Sequence, residues 1–359
     1  MDALRSEFPV LERVAFLNTG TDGPVPARAV EAAREALADQ LREGRHGPHF
    51  SARFELQAEL RGTYAQVLGC AAEDVALTTS TSEGLGAALG GLDLGAGDEI
   101  VTSDSEHPGL VGPLIAARAR GVAVRAVPLR EVADAVTART TLVACSHVSW
   151  VTGEVAPAAL AELDVPVVFD GAQGAGAIPV DVGALGCAAY AASGQKWLCG
   201  ADGTGMLYVE PAFRERLRVL APSWVSFEDT TRGLDSPLHE SARRFDTPSL
   251  SREAAAFSLA STRLLLSVDD LHARAAALAA RLADALSSAG RTVAPRGETT
   301  LVSWHDADAP ATRDRLAAAG VVIRDLPGRN LLRASVGAWN DESDLERLLS
   351  ALSAGPSAG

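Results

Sequence analysis

The chain has 359 residues, 47% hydrophobic and 22% charged, with a formal net charge of −14, a balance that describes a globular protein able to bury a sizeable core. The acidic charge and the lack of any basic run argue against a nucleic-acid surface. No apolar stretch approaches the roughly 18 residues of a membrane span, and acids interrupt the apolar residues of the start, MDALRSEFPVLERV, so a cytoplasmic protein is expected.

In chain order, PVPARAVEAAREALADQLREG (24–44) has proline at its start, glycine at its end and apolar spacings of three and four, which predict a long helix. From about 70 to 210, seven β-rich runs follow: DVALTT, EIVTS, VAVRAV, TLVACS, VPVVFD, CAAYAAS and GMLYV. Several are apolar at consecutive positions, as strands buried on both faces are. The intervening SEGLGAALGGL, HPGLVGPLIAARARG and APAALAEL have helical length or periodicity, so a mostly parallel sheet covered by helices is expected. Residues 249–289 read as helix broken near SVDD at 267–270. The remainder alternates again, with TTLVSWH and VVIRDL as strands and ATRDRLAAAG and DESDLERLLSALS as helices, a second and smaller α+β unit; the tail SAGPSAG reads as disordered. The expected division is a large unit over 15–265 and a small one from 1–14 and 266–359.

One residue stands out by its rarity. Of 32 Lys plus Arg, 31 are arginine, and Lys196 is the single lysine. Arginine replaces lysine wherever only charge or an amphipathic stem is needed, but its guanidinium stays protonated and cannot serve as an amine nucleophile toward carbonyls. Lys196 lies in SGQK, just past the end of one strand candidate, and Asp170 ends another, so a parallel sheet brings both to one crevice. A lysine amine with an aspartate suits pyridoxal 5′-phosphate (PLP): the amine condenses with the cofactor aldehyde, and the carboxylate keeps the pyridine nitrogen protonated. The hydroxyls of Ser80, Thr81 and Ser82, before a predicted helix N-terminus, offer a phosphate cradle. Cys70, Cys145, Cys187 and Cys199 lack zinc-like spacing and the seven histidines form no HExxH, so no metal is expected.

From FLNTG at 16 to the final helix, the chain resembles the class V aminotransferase family, whose members include cysteine desulfurases, selenocysteine lyases, isopenicillin N epimerase-like proteins and hercynylcysteine sulfoxide lyases. The strongest match is FDGAQGAGAIPVDVGALGCAAYAASGQKWLCGADGTGMLYV. The resemblance implies an α/β fold of the fold type I PLP-dependent class, with a mostly parallel seven-stranded sheet. It makes Lys196 the Schiff-base lysine, Asp170 the partner of the pyridine nitrogen and Gln173 a donor to the ring oxygen. It places Thr81, Ser82, Ser193 and Gln195 on the phosphate and His107 over the ring, where it stacks and carries protons. Thr247 matches a threonine that reaches the phosphate of the neighbouring subunit, implying a homodimer with shared sites, and Arg333 matches the arginine that grips the substrate carboxylate. Two departures bear on the reaction. The mobile cysteine of desulfurases is missing from VVIRDLPGRNLLR, and Trp150 replaces their asparagine near the substrate carboxylate, which implies an altered, more apolar pocket.

The expected activity is thus PLP-dependent chemistry on an α-amino acid or a derivative, as transamination or Cβ–S/β-elimination lyase chemistry, with epimerisation and desulfurase-like activity as alternatives. Two other readings have weaker support. Ser193–Lys196 also fits the S-x-x-K of serine hydrolases, but WLCGADGTG is too glycine-rich to continue the helix that motif needs. The spacing of GAQGAG departs from the nicotinamide fingerprint. A non-catalytic descendant of the fold would have no use for Lys196.

Overall fold

Consecutive apolar residues along each strand pack to opposite faces, and this alternation builds the centre of the molecule. The computed structural model describes residues 2–354. In chain order the elements are α1 (Asp2–Arg5), β1 (Ala15–Phe16), α2 (Ala27–Glu43), α3 (Gly47–Leu68), β2 (Val75–Thr78), α4 (Thr81–Gly91), β3 (Glu99–Ser103), α5 (Pro108–Ala119) and β4 (Ala123–Val127). They continue with β5 (Thr140–Ser146), β6 (Val167–Asp170), β7 (Ala189–Ser193), β8 (Gly205–Val209), α6 (Pro211–Arg214), α7 (Arg252–Leu266) and α8 (Leu271–Ser288). Last come β9 (Leu301–His305), α9 (Ala309–Ala318), β10 (Val321–Val322), β11 (Arg324–Asp325), β12 (Leu331–Ser335) and α10 (Glu342–Ser353).

The seven strand segments read from sequence form one sheet in the order β2-β8-β7-β6-β5-β3-β4, parallel except for β8. Val101, Val143, Phe169 and Tyr190 face Leu60 and Tyr64 of α3 and Leu259 of α7. Their chain neighbours Ile100, Leu142, Val168 and Ala189 face Leu85 of α4 and Leu110 of α5. A second, antiparallel sheet, β11-β12-β9, carries Leu332 and Trp304 into a cluster with Leu282 of α8, Leu316 of α9 and Leu348 of α10.

Three expectations need correction. APAALAEL forms only a 3-10 turn over Ala158–Glu162, because Pro157 opens it and Pro166 soon follows, leaving no room for an α-helix. VVIRDL is two strands with different partners: β10 pairs with β1, and β11 with β12. Ala15 and Leu17, assigned from sequence to the large unit, are buried in the C-terminal cluster. The long helix α3 carries no expectation from the sequence. Of the tail 353–359, all but the first two residues lie outside the described residues. Among the described residues, no helix is long and apolar enough to cross a membrane.

Candidate active site

Five parts of the site lie at or beyond the C-terminal end of a strand of the large sheet. β2 leads to Thr81 and Ser82, β3 to His107, β5 to Trp150, β6 ends on Asp170, and β7 ends on Ser193, three residues before Lys196. These five strands run in one direction, so their ends open on a common crevice. A cavity of about 220 Å³ lies there, lined by Gly20, Thr21, His107, Trp150, Gln173, Lys196, Arg324 and Arg333.

The Lys196 amine is held below its ordinary pKa, first by burial and then by the charges of Arg333 and Arg324, against the opposing pull of Asp170 and Asp22. Asp170 is 4% exposed; burial raises its pKa, while Lys196 and the amide of Ala172, which donates to Oδ1 at 3.0 Å, lower it. The Gln173 side chain is fixed at both ends: its Nε2 donates to the Gly20 carbonyl at 2.8 Å, and its Oε1 accepts from Trp197 Nε1 at 2.9 Å. Gly20 cannot carry a side chain, since a Cβ there would lie 2.8 Å from Gln173 Oε1 and 3.0 Å from Arg333 Nη2.

At the N-terminus of α4, Ser80 caps the helix by accepting from the Glu83 amide. Thr81 donates its amide to Ser193 Oγ at 3.0 Å, and the two hydroxyls lie 2.7 Å apart. Ser82 faces the start of α5, where a Cβ on Gly109 would sit 2.6 Å from its hydroxyl. Gln195 Oε1 is buried without a partner. Oriented hydroxyls at the positive end of a helix dipole make a suitable anion cradle.

His107 stands at the start of α5 on the cavity wall. Its Nδ1 accepts from the Gly109 amide at 3.1 Å, capping α5, and its ring meets Trp150 edge-on at 5.2 Å. Burial, then Lys196 and the two arginines, lower its pKa to about 4, so the ring is neutral at physiological pH. Arg333 is fully buried; Nη1 donates to the Trp150 carbonyl at 2.6 Å, whereas Nε and Nη2 have no partner. Its pKa is lowered to about 9 by burial and by Arg324, which leaves it charged at neutral pH.

Thr247 lies elsewhere. It lines a separate groove with Arg61, Arg243 and Asp246, and its amide donates to the Leu77 carbonyl. Of the candidate residues, His107, Trp150, Gln173, Lys196 and Arg333 line the cavity, Asp170, Thr81, Ser82, Ser193 and Gln195 lie at or near strand ends on the same side of the sheet, and Thr247 lines the separate groove.

The sequence reading missed three features. Arg324 pairs directly opposite Arg333 across β11 and β12, and its guanidinium sits 5.8 Å over the Trp150 ring. Two like charges directly opposed in a sheet are destabilising, a signal recoverable from the hairpin IRDLPGRNLLR. Glu106 is a buried carboxylate that accepts from Ser103 Oγ, the Ser146 amide and Ser146 Oγ, tying the start of α5 to the end of β5. His147 hydrogen-bonds Tyr190 through Nδ1 at 3.0 Å, and the two lie under the GAQGAG turn, where a Cβ on Gly174 would fall 2.2 Å from the tyrosine hydroxyl.

His147 gives a pH prediction. Burial lowers its pKa to about 4 from 6.5, so the unfolded chain binds a proton that the folded chain refuses. Its contribution is complete above about pH 6.5 and is lost as pH falls toward 4, by an amount on the order of 3 kcal/mol. Urea midpoints measured from pH 7 to 4 should fall, and His147→Asn should be less stable at pH 7 with a shallower fall; an equally steep slope in the variant rejects the assignment.

Several known proteins are similar to this chain. A probable cysteine desulfurase of Aeropyrum pernix is 34% identical over 243 residues, covering 61% of this chain and 57% of the relative. A cysteine desulfurase of Escherichia coli is 29% identical over 253 residues, covering 62% and 60%. The chain thus spans less than two thirds of the length of these curated relatives. Among solved structures, the cystine C-S lyase C-DES with its reaction product cysteine persulfide matches at a TM-score of 0.91 and 26% identity, over 97% of this chain and 100% of that one. A lysine mutant of C-DES with glycine covalently linked to the PLP cofactor matches at 0.91 and 26%, over 98% and 99%. The family model for class V aminotransferases matches residues 15–348, and the chain belongs to that family.

Proposed function

We propose that this chain is a PLP-dependent enzyme that cleaves the Cβ–S bond of a sulfur-bearing α-amino acid. The observation that carries this reading is one cavity holding the single lysine, its amine desolvated, beside a buried guanidinium whose Nε and Nη2 are unpaired. The residues present fit the cofactor. Lys196 would anchor it, Asp170 would face its ring nitrogen, and Gln173 its ring oxygen. Thr81, Ser82 and Ser193 would form the α4 cradle for its phosphate, with Gln195 contributing through its Nε2, the donor end of that side chain. Bound there, PLP would supply the electron sink for charge released at the substrate Cα.

The chain's own residues would do the rest. Arg333 offers two free donors to the substrate carboxylate, and Arg324, on the Trp150 face, adds a second cation for an anionic far end. Lys196, whose pKa burial and the nearby arginines lower, would take the Cα proton and return one later. His107 and Trp150 wall the cavity against water. None of the four cysteines lines it; the sulfur therefore leaves with the departing fragment and not as a protein persulfide. C-DES, with its cysteine persulfide product, supports that choice.

The proposed assembly is a homodimer in which Thr247 of one copy completes the phosphate site of the other, supported by the exposed Phe54 and Trp224 beside the Thr247 groove. We place the protein in the cytoplasm and retain the division into a large and a small unit, with the N-terminal strand, paired to β10, assigned to the small unit. To test the function, the chain is loaded with PLP, reduced with borohydride and mapped by mass; the adduct is expected on the Lys196 peptide alone. In a separate, unreduced sample of the loaded protein, cystine and cysteine should release pyruvate and ammonia with a persulfide or sulfide. Amino transfer without ammonia, or an inverted stereocentre, would reject lyase chemistry, and an unmodified Lys196 would reject the cofactor.

A further inference from the structure

We infer that Ser261, on α7, is a positioning residue for Lys196. The inference rests on the reading of Lys196 as the cofactor anchor. After Lys196 the chain turns sharply: the Cys199 amide donates to the Lys196 carbonyl at 3.1 Å, and Cys199 itself is left-handed, with φ 49°. That conformation is unfavourable for a side-chain-bearing residue and persists only where the surroundings impose it.

The surroundings here are hydroxyls from a helix. Ser261 Oγ lies 2.7 Å from the Leu198 carbonyl and 2.8 Å from the Cys199 carbonyl, so a single O–H is shared between the two peptides that flank the turn. One helical turn earlier, Ser258 Oγ accepts from the Ala201 amide at 3.0 Å and lies 3.1 Å from Thr204 Oγ1. A Cβ on Gly200 would come within 2.9 Å of that same Oγ. On the other side, the Gly23 amide donates to the Gln195 carbonyl at 2.8 Å. The lysine is thus held between two fixed anchors.

These hydroxyls are costly residues for a buried helix face. Ser258, Ser261 and Thr262 are all fully buried, in a segment otherwise rich in alanine and leucine, and buried hydroxyls need partners. Thr262 satisfies its own by bonding back to the Ser258 carbonyl of the same helix at 2.7 Å. Ser261 does not; it reaches across to the lysine turn. The contrast between two adjacent buried hydroxyls separates a role in helix packing from a role in placing the lysine.

The single lysine makes the test direct. Full-length protein grown with 13C-lysine has one lysine Cε resonance, whose titration reports the Lys196 amine among its charged neighbours Asp170, Asp22, Arg333 and Arg324. In Ser261→Ala the turn relaxes and the amine gains water, so its pKa should rise by about one unit or more, and PLP binding should weaken by about tenfold or more. Thr262→Ala, equally buried, should leave both near the wild-type values, and Ser261→Thr should restore them. Equal shifts in the Ser261→Ala and Thr262→Ala variants, or no shift in Ser261→Ala, would overturn the inference. Should Ser261→Ala fail to fold, Ser261→Cys, with a weaker donor of similar size, is read in its place: an intermediate shift supports the inference and none overturns it. Wild-type protein that binds no PLP would reject the anchor role, while the lysine titration still decides the part played by Ser261.

Discussion

Lys196→Arg is expected to abolish covalent attachment of PLP and to lower turnover by about 10³-fold or more, on the scale of a lost positioned base together with lost covalent catalysis. The side chain stays long and basic, so the change isolates the one property arginine lacks, a nitrogen that can give up its proton. The cavity already holds Arg333 and Arg324 beside Lys196. A permanently charged third cation adds repulsion there, and a melting temperature a few degrees lower is expected, with an unchanged circular dichroism spectrum. Lys196→Ala provides the complement, since it removes the amine without adding charge; it should lose the covalent adduct equally and melt higher than Lys196→Arg. Turnover in Lys196→Arg within tenfold of wild type, or a borohydride-stable adduct in either variant, would contradict the assignment of Lys196.

The large sheet was legible because its strands are buried on both faces and punctuated by turn residues, as in VPVVFD before GAQGAG. The convergence of Asp170 and Lys196 was legible for a topological reason, as parallel strands deliver their ends to one side. What escaped lacks local signal. In α3, Gly47 and Pro48 open a helix whose apolar residues form no clean stripe, and its order comes from Leu60, Tyr64 and Leu68 packing on the sheet. Arg324 is one arginine among 31, and only the β11–β12 register sets it against Arg333. Ser261 and His147 escaped because their partners, the Leu198 and Cys199 carbonyls and the Tyr190 hydroxyl, lie 43 to 63 residues away in sequence.

Arg333→Met is expected to raise stability while destroying substrate binding. The guanidinium is fully buried, is opposed by Arg324 across the strand pair and leaves Nε and Nη2 unpaired. An uncompensated buried charge costs several kcal/mol, and methionine fills a similar volume without it. Against this stands the bond from Nη1 to the Trp150 carbonyl, whose loss costs about 1–3 kcal/mol. Because removal of the charge outweighs the lost bond, a net gain of about 1–2 kcal/mol is expected, seen as a higher urea midpoint at unchanged slope. The same two unpaired nitrogens are the donors proposed above for the substrate carboxylate, and on that proposal their loss should raise KM by about 10²-fold or more, the scale of a bidentate charged contact. PLP loading on Lys196 should survive, because that attachment does not use Arg333. Opposite signs for stability and substrate affinity are the signature of a residue kept for binding at the expense of the fold. A destabilised variant that binds substrate normally would instead make Arg333 a support for Trp150 and leave Arg324 as the carboxylate site.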